Sequence, residues 1–220
     1  MIAIGTHVGR NVIALITNMD TPLGNAIGTN LEVKECIETL KGNGPEDLNE
    51  VCLALAGNML ALAGKGSLEE CRILAQQSIL DGSAFQKLCE MVELQEGDKN
   101  VLLHPELFAK APYGMDVFAS DTGYITHMNT EQCGNSSVVL GAGRETKDSP
   151  VDYTAGILLY KKRGDYVKKG DRIATVYASD KAKLSAGAKV LEGAYAYGSG
   201  KPEPEKLILA RVTADGIEEY

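Results

Sequence analysis

The sequence predicts a mixed fold: a helix-rich, partial α/β portion containing a parallel-type strand, then a small α+β portion whose β layer is barrel- or sandwich-like. Three observations carry this. A short apolar run, Val12 to Thr17, breaks into a Pro-Gly loop and then a helical pattern. Helical periodicity then continues almost unbroken to Glu96. From Tyr113 the period changes to short strands separated by Gly-Asp turns at about seven-residue spacing. The expected boundary lies near Ala109, giving spans 1–108 and 109–220.

Met1 to Gly9 reads as helical turns with Ile2, Ile4 and Val8 roughly on one face and no capping residue before them. Val12–Thr17 follows as a strand expected to be buried on both faces. Its backbone groups need partners, because an unpaired buried group costs roughly 1–3 kcal/mol. The next stretch is helical and offers none, so the partners are expected from the C-terminal half or from protein beyond this chain. The lone strand and the uncapped first helix together suggest the C-terminal part of a larger protein.

The loop Pro22-Leu23-Gly24-Asn25-Ala26-Ile27-Gly28 leads to a helix opening near Thr29 or Asn30 and running to Leu40. A strand–loop–helix unit of this kind places ligands beyond the carboxyl end of a strand. Loop carbonyls with one carboxylate, in the region of Leu23, Ala26 and Glu35, are the ligand type a hard or monovalent cation prefers; an ordinary loop and helix start is the competing reading. Pro45 stands at the edge of a helix over Glu46–Ala63, whose apolar residues on most sides predict a central position. Ser67-Leu68-Glu69-Glu70 has the capping-box pattern and opens a helix to Leu80. Ser83 is expected to cap another to about Glu96, with Phe85, Leu88, Cys89 and Val92 as its apolar stripe.

Strands are expected over Met115–Ala119, Gly123–Met128, Tyr153–Tyr160, Tyr166–Val167, Ile173–Tyr177 and Leu207–Val212. Thr130–Leu140 is a helix weakened by Gly134, Asn135 and two serines, and Lys181–Tyr197 is a second, Ala-rich one. Gly141-Ala142-Gly143-Arg144 reads as a turn, since no Lys-Ser or Lys-Thr pair follows it as a phosphate loop requires.

Composition narrows the function classes. A net charge of −8 without a Lys/Arg cluster argues against nucleic acid as a partner. No apolar run reaches membrane-spanning length, so no membrane association is expected. Five scattered cysteines without a CxxC pair are expected to be reduced core thiols of a cytoplasmic protein. No nucleophile–base–orienter set is present: His7, His104 and His127 stand in unrelated contexts. Gly164–Ala182, GDYVKKGDRIATVYASDKA, resembles the half of a lipoyl or biotinyl carrier domain that displays a modifiable lysine, here Lys181. This gives an alternative reading as a carrier or interaction module.

Two longer stretches carry a more specific resemblance. VGRNVIALITNMDTPLGNAIGTNLEVKECIETLKGNGPEDL, and VLGAGRETKDSPVDYTAGILLYKKRGDYVKKGD with its IATVYA continuation, resemble bacterial pyrimidine-nucleoside phosphorylases, close relatives of thymidine phosphorylase. The resemblance implies an enzyme that uses phosphate to cleave a pyrimidine nucleoside into base and pentose 1-phosphate. It also implies a helical domain, a large α/β domain and a small C-terminal α+β domain, with this chain matching the second half. The family's Lys-His-Ser-Thr-Gly-Gly phosphate loop is absent from the 220 residues. No catalytic or substrate-binding residue carries over, and the chain alone is expected to be inactive. What carries over is a potassium site: the carbonyls of Leu23 and Ala26 and the carboxylate of Glu35, the other ligands lying elsewhere, so that the site on this chain is expected to be empty or water-filled. A homodimer covering the Val12–Thr17 edge is the expected assembly.

Overall fold

The computed structural model describes residues 1–220. The first elements are α1 (Ile2–His7), β1 (Ala14–Thr17), β2 (Ala26–Ile27) and α2 (Thr29–Leu40). Four helices follow, α3 (Glu46–Leu62), α4 (Leu68–Leu80), α5 (Ser83–Leu94) and the single turn α6 (Asn100–Leu103), with a 3-10 turn at Pro105–Leu107. Then come β3 (Tyr113–Phe118), β4 (Gly123–Met128), α7 (Thr130–Leu140), β5 (Gly156–Leu159), β6 (Tyr166–Val167) and β7 (Arg172–Ala178). The chain closes with α8 (Lys181–Glu192), β8 (Tyr195–Gly198), β9 (Ile208–Val212) and β10 (Ile217–Glu219). The architecture is mixed helix and sheet.

The chain forms two compact units, both discontinuous in sequence. One comprises Met1–Asn18, Glu38–Gln95 and Glu205–Tyr220; the other comprises Met19–Ile37 and Glu96–Pro204. A single cut near Ala109 does not describe this interleaving. The last residues of the chain join the first helices, and the loop after β1 joins the C-terminal sheets.

The helical unit is assembled from local signals. Ser67 Oγ accepts the Glu70 N–H at 3.3 Å, while Glu70 Oε2 accepts the Ser67 N–H at 2.9 Å, closing the expected capping box of α4. Pro45 precedes α3, and Glu46 and Asp47 put negative charge at its positive end. Gly82, not Ser83, is the N-cap residue of α5, and Ser83 is the first helical residue. α3 is less central than its composition predicts. It buries Val51, Leu53, Gly57 and Asn58, while Leu55, Met59 and Leu62 face outward. One helix face is all that a single partner layer can cover.

The parallel-type strand is overturned. β1 pairs antiparallel with β9, Ala14 opposite Val212 and Leu15 opposite Arg211, in a three-stranded sheet of order β1-β9-β10. It is an edge strand that is nowhere fully buried, and Ile16 is 46% exposed. A short apolar run looks alike in sequence whether covered on two faces or one; the neighbours decide. The partner does come from the C-terminal half, as one of the two expectations had it.

In the other unit every strand pairing is also antiparallel. One sheet has the order β2-β5-β7-β3 and the other β6-β4-β8. β2 lies in what the sequence presents as loop. β8 takes the end of the segment read as a single long helix, because α8 stops at Gly193. The two Gly-Asp turns share one device: Asp165 Oδ2 accepts the Lys162 N–H at 2.9 Å, and Asp171 Oδ2 accepts the Lys168 N–H at 2.8 Å. α7 is capped by Asn129 and α8 by Asp180, whose Oδ1 accepts from the Ala182 and Lys183 amides. The two helices pack closely at Gly187. A Cβ there would stand 2.5 Å from Leu140, and Ser136 Oγ donates to the Gly187 carbonyl at 2.8 Å. Around them Ile125, Met128, Ile157, Leu159, Ile173, Val176 and Leu191 form a dry core.

The cysteines divide. Cys71 and Cys133 are buried, Cys89 is half-buried, and Cys36 and Cys52 are exposed, so the expectation of core thiols holds for only part of the set. Burial pushes the Cys133 thiol up to about 11. Cys36 lies on α2 and Cys52 on α3.

Candidate functional site

The loop from Met19 to Gly28 and the first turns of α2 are tied together by side-chain hydrogen bonds. The local chemistry starts with Gly28. Its φ of +116° is costly for any residue with a side chain, and a Cβ there would sit 2.4 Å from the Ala155 carbonyl oxygen. Opposite it, a Cβ on Gly156 would sit 2.2 Å from the Ile27 carbonyl oxygen. The two glycines let β2 and β5 approach, which fixes where the loop returns to the sheet.

α2 then turns its acidic face back on the loop. Glu32 Oε1 accepts the Gly28 N–H at 2.8 Å. One turn further, Glu35 Oε1 accepts the Asn25 N–H at 2.8 Å and Oε2 accepts the Ala26 N–H at 3.3 Å. Asn25 in turn offers its carbonyl to the Leu159 N–H at 2.8 Å. From the other side Lys162 Nζ donates to the Gly24 carbonyl at 2.8 Å. Asn30 Nδ2 reaches the Ala109 carbonyl at 3.0 Å, and its N–H donates to the Tyr153 carbonyl.

Of the three residues expected to bind a cation, Ala26 is buried, Leu23 is largely exposed, and Glu35 is half-buried with its carboxylate laid on the loop. The donor set is all oxygen, and the Lys162 ammonium already stands on one carbonyl of the same loop. Oxygen is the ligand type a hard cation takes, but both Glu35 oxygens already accept loop amides. Lys162 and Gly156 are the residues that sequence reasoning missed. Both lie within the stretch that carried the resemblance, but nothing local says that Lys162 points at residue 24.

Other candidates do not converge. The Gly141–Arg144 segment ends α7, where the Ala142 N–H returns to the Ser137 carbonyl at 2.9 Å. Lys181 is the first residue of α8 and lies 5.1 Å from the Tyr113 ring, so it is not displayed on a hairpin tip as a carrier lysine must be. His7 ends α1, and His104 precedes the 3-10 turn 3.3 Å from Glu106. In the helical unit a concavity of about 450 Å³ lies against α3 and α4, with Asn58, Arg72, Lys206 and Glu218 on its wall. Asn58 is engaged there: its Oδ1 accepts from Arg211 Nε at 2.8 Å. No helix is long and apolar enough to cross a membrane.

Comparison with known proteins gives consistent matches. Residues 124–198 match the family model described as the pyrimidine nucleoside phosphorylase C-terminal domain. Pyrimidine-nucleoside phosphorylase of Geobacillus stearothermophilus is 44% identical over 180 residues, 81% of this chain and 42% of that protein. Proteins of the same name from Staphylococcus aureus and Staphylococcus haemolyticus are 43% identical over 180 residues, with the same coverage. The chain therefore spans 42% of the length of the curated relatives it matches. Residues 124–198 are thus similar to a pyrimidine nucleoside phosphorylase C-terminal domain, and the chain is similar to pyrimidine-nucleoside phosphorylases over 180 residues.

Proposed function

We propose that this chain supplies the C-terminal portion of a pyrimidine-nucleoside phosphorylase, an enzyme in which phosphate cleaves a pyrimidine nucleoside to the free base and a pentose 1-phosphate. The observation that carries this is the 44% identity over 180 residues together with the domain match at 124–198. The chain's own contribution is positional. Its two glycines and Glu35 fix the loop at Leu23–Ala26, and its dry core holds β5 and β7 behind that loop. It brings no nucleophile–base pair of its own.

In this reading the Leu23 and Ala26 carbonyls and the Glu35 carboxylate hold a potassium ion, with further ligands from residues outside the chain. A bound potassium ion would offset negative charge beside the phosphate site and order the loop. The 220-residue chain is then inactive by itself. Phosphorolysis assays with uridine and thymidine should give no pentose 1-phosphate, and turnover by the chain alone would overturn this part of the reading.

The proposed assembly is a homodimer in a cytoplasmic setting. Outward-facing Leu55, Met59 and Leu62 on α3 and the open edge of β1 support self-association. Light scattering on the eluting chain should report twice the 23.5 kDa chain mass. A monomer at tens of micromolar would contradict it.

A further inference from the structure

We infer that the concavity against α3 and α4 is a binding site for a small apolar zwitterion, an α-amino acid with an aliphatic side chain. The inference stands on this cavity alone and does not depend on the proposed phosphorolysis.

One face of each helix builds the site. On α3, Glu50, Leu53, Gly57 and Asn58 follow at helical spacing, and on α4 Glu69 and Arg72 stand about one turn apart. Gly57 lets the two faces close on each other, because a Cβ there would stand 3.3 Å from the Arg72 backbone. The segment from Glu205 to Ile208, with Glu218 and Tyr220, forms the remaining wall and leaves about 450 Å³ open. That volume lies in the range of small-molecule sites. Every wall residue belongs to the same compact unit.

The floor is apolar with one fixed polar group. Leu53 is buried, and Leu207 and Ile208 are half-buried beside it. Asn58 is only 6% exposed. Its Oδ1 accepts from Arg211 Nε at 2.8 Å, and one Nδ2 proton goes to the Ala54 carbonyl at 2.8 Å. An amide nitrogen carries two protons, so an occupant of the cavity can take the second.

The rim carries open charges of both signs. Lys206 holds the Tyr220 carbonyl, Glu205 accepts from Asn18 Nδ2, and Glu218 lies 3.7 Å from Arg211. The side chains of Glu50, Glu69 and Arg72 have no ion-pair or hydrogen-bond partner on the chain. A guanidinium alone would suit any anion, and two carboxylates alone any cation. Together above an apolar floor they suit a molecule with both charges at one end and hydrocarbon at the other. Arg72 takes the carboxylate through its fork of N–H donors, and Glu50 and Glu69 take the ammonium. The alkyl group covers Leu53 and Ile208.

The test is amide-resolved NMR on the full 220-residue chain, titrated with L-leucine and with two half-molecules, isoamylamine and isocaproate. Leucine should give saturable shifts centred on Leu53, Asn58, Arg72 and Ile208, with a dissociation constant in the millimolar range. Each half-molecule lacks one charge-assisted contact and should bind about tenfold more weakly. Arg72→Gln should weaken leucine about tenfold and leave isoamylamine as it was. The double variant Glu50→Gln, Glu69→Gln should weaken leucine and leave isocaproate no weaker. All three side chains are exposed, so folding is not at stake. No saturable shift from leucine at tens of millimolar would overturn the site. A half-molecule binding as tightly as leucine, or unchanged leucine affinity in either variant, would overturn the zwitterion assignment.

Discussion

The two compact units carry similar amounts of apolar sequence and bury very different shares of it. In the unit of Met19–Ile37 and Glu96–Pro204, Ile125, Met128, Ile157, Ile173 and Leu191 have no exposed surface. In the helical unit the buried apolar side chains are Val51, Leu53, Cys71 and Ala75, while Met59 is 70% exposed and Leu94 85%. The cause is layering. β5 and β7 are covered by α7 and α8, so both the strands and the helices have an opposite layer. In the helical unit α3 packs mainly on α4, and α5 buries no residue at all. An amphipathic helix gains burial only where something stands opposite its stripe. A local propensity to form helix therefore says little about how firmly the helix is held.

The sharpest way to break this comparison is a matched pair of truncations. Ile157→Ala, in the centre of the dry core, should cost about 2–5 kcal/mol in urea unfolding. Leu55→Ala, on the outward face of α3, should cost under about 1 kcal/mol. Equal costs would mean that α3 is covered in solution, which self-association through that face would explain.

A smaller effect is expected within the helical unit. Ser67→Ala removes the side-chain half of the α4 capping box and should lower stability by about 1 kcal/mol. The loss should register as helical circular dichroism melting earlier, with the near-ultraviolet tyrosine signal of the other unit melting where it did before. A shift of both signals together would show that the two units unfold as one cooperative block.

The smallest effect is pH-dependent. Burial pushes the Asp152 carboxyl up, but hydrogen bonds from Ser179 Oγ and from the Thr154 hydroxyl and amide outweigh it and hold the carboxyl below its ordinary value. A depressed folded value means that Asp152 contributes its full stabilisation above the unfolded value of about 4. That contribution is lost as pH falls through the folded value. Asp152→Asn should therefore melt below the parent at pH 7, with the gap narrowing as pH drops below about 4. A gap that widens in acid would reverse the assignment.

Much of the fold is legible along the chain because its signals are local. The Ser67–Glu70 box, Pro45, the Gly-Asp turns and the helix from Thr130 to Leu140 stand where the sequence puts them. The resemblance to pyrimidine-nucleoside phosphorylases is likewise visible in the sequence, and the match at residues 124–198 supports it. Three things are not legible. β1 reads as a doubly buried strand but lies antiparallel to β9 at a sheet edge. β2 reads as loop, since two residues are too few to show a period. The end of the Lys181–Tyr197 segment reads as helix but becomes β8, because pairing with β4 overrides a weak Ala-rich preference.

The sequence by itself therefore determined where most helices start and where the chain turns, since each depends on neighbours within a few positions. Only the tertiary structure decided which strands meet, which helix faces stay wet, and that Lys162 reaches Gly24. Those outcomes depend on pairings between residues far apart in the chain, and the free energy of such a pairing resides in both partners at once.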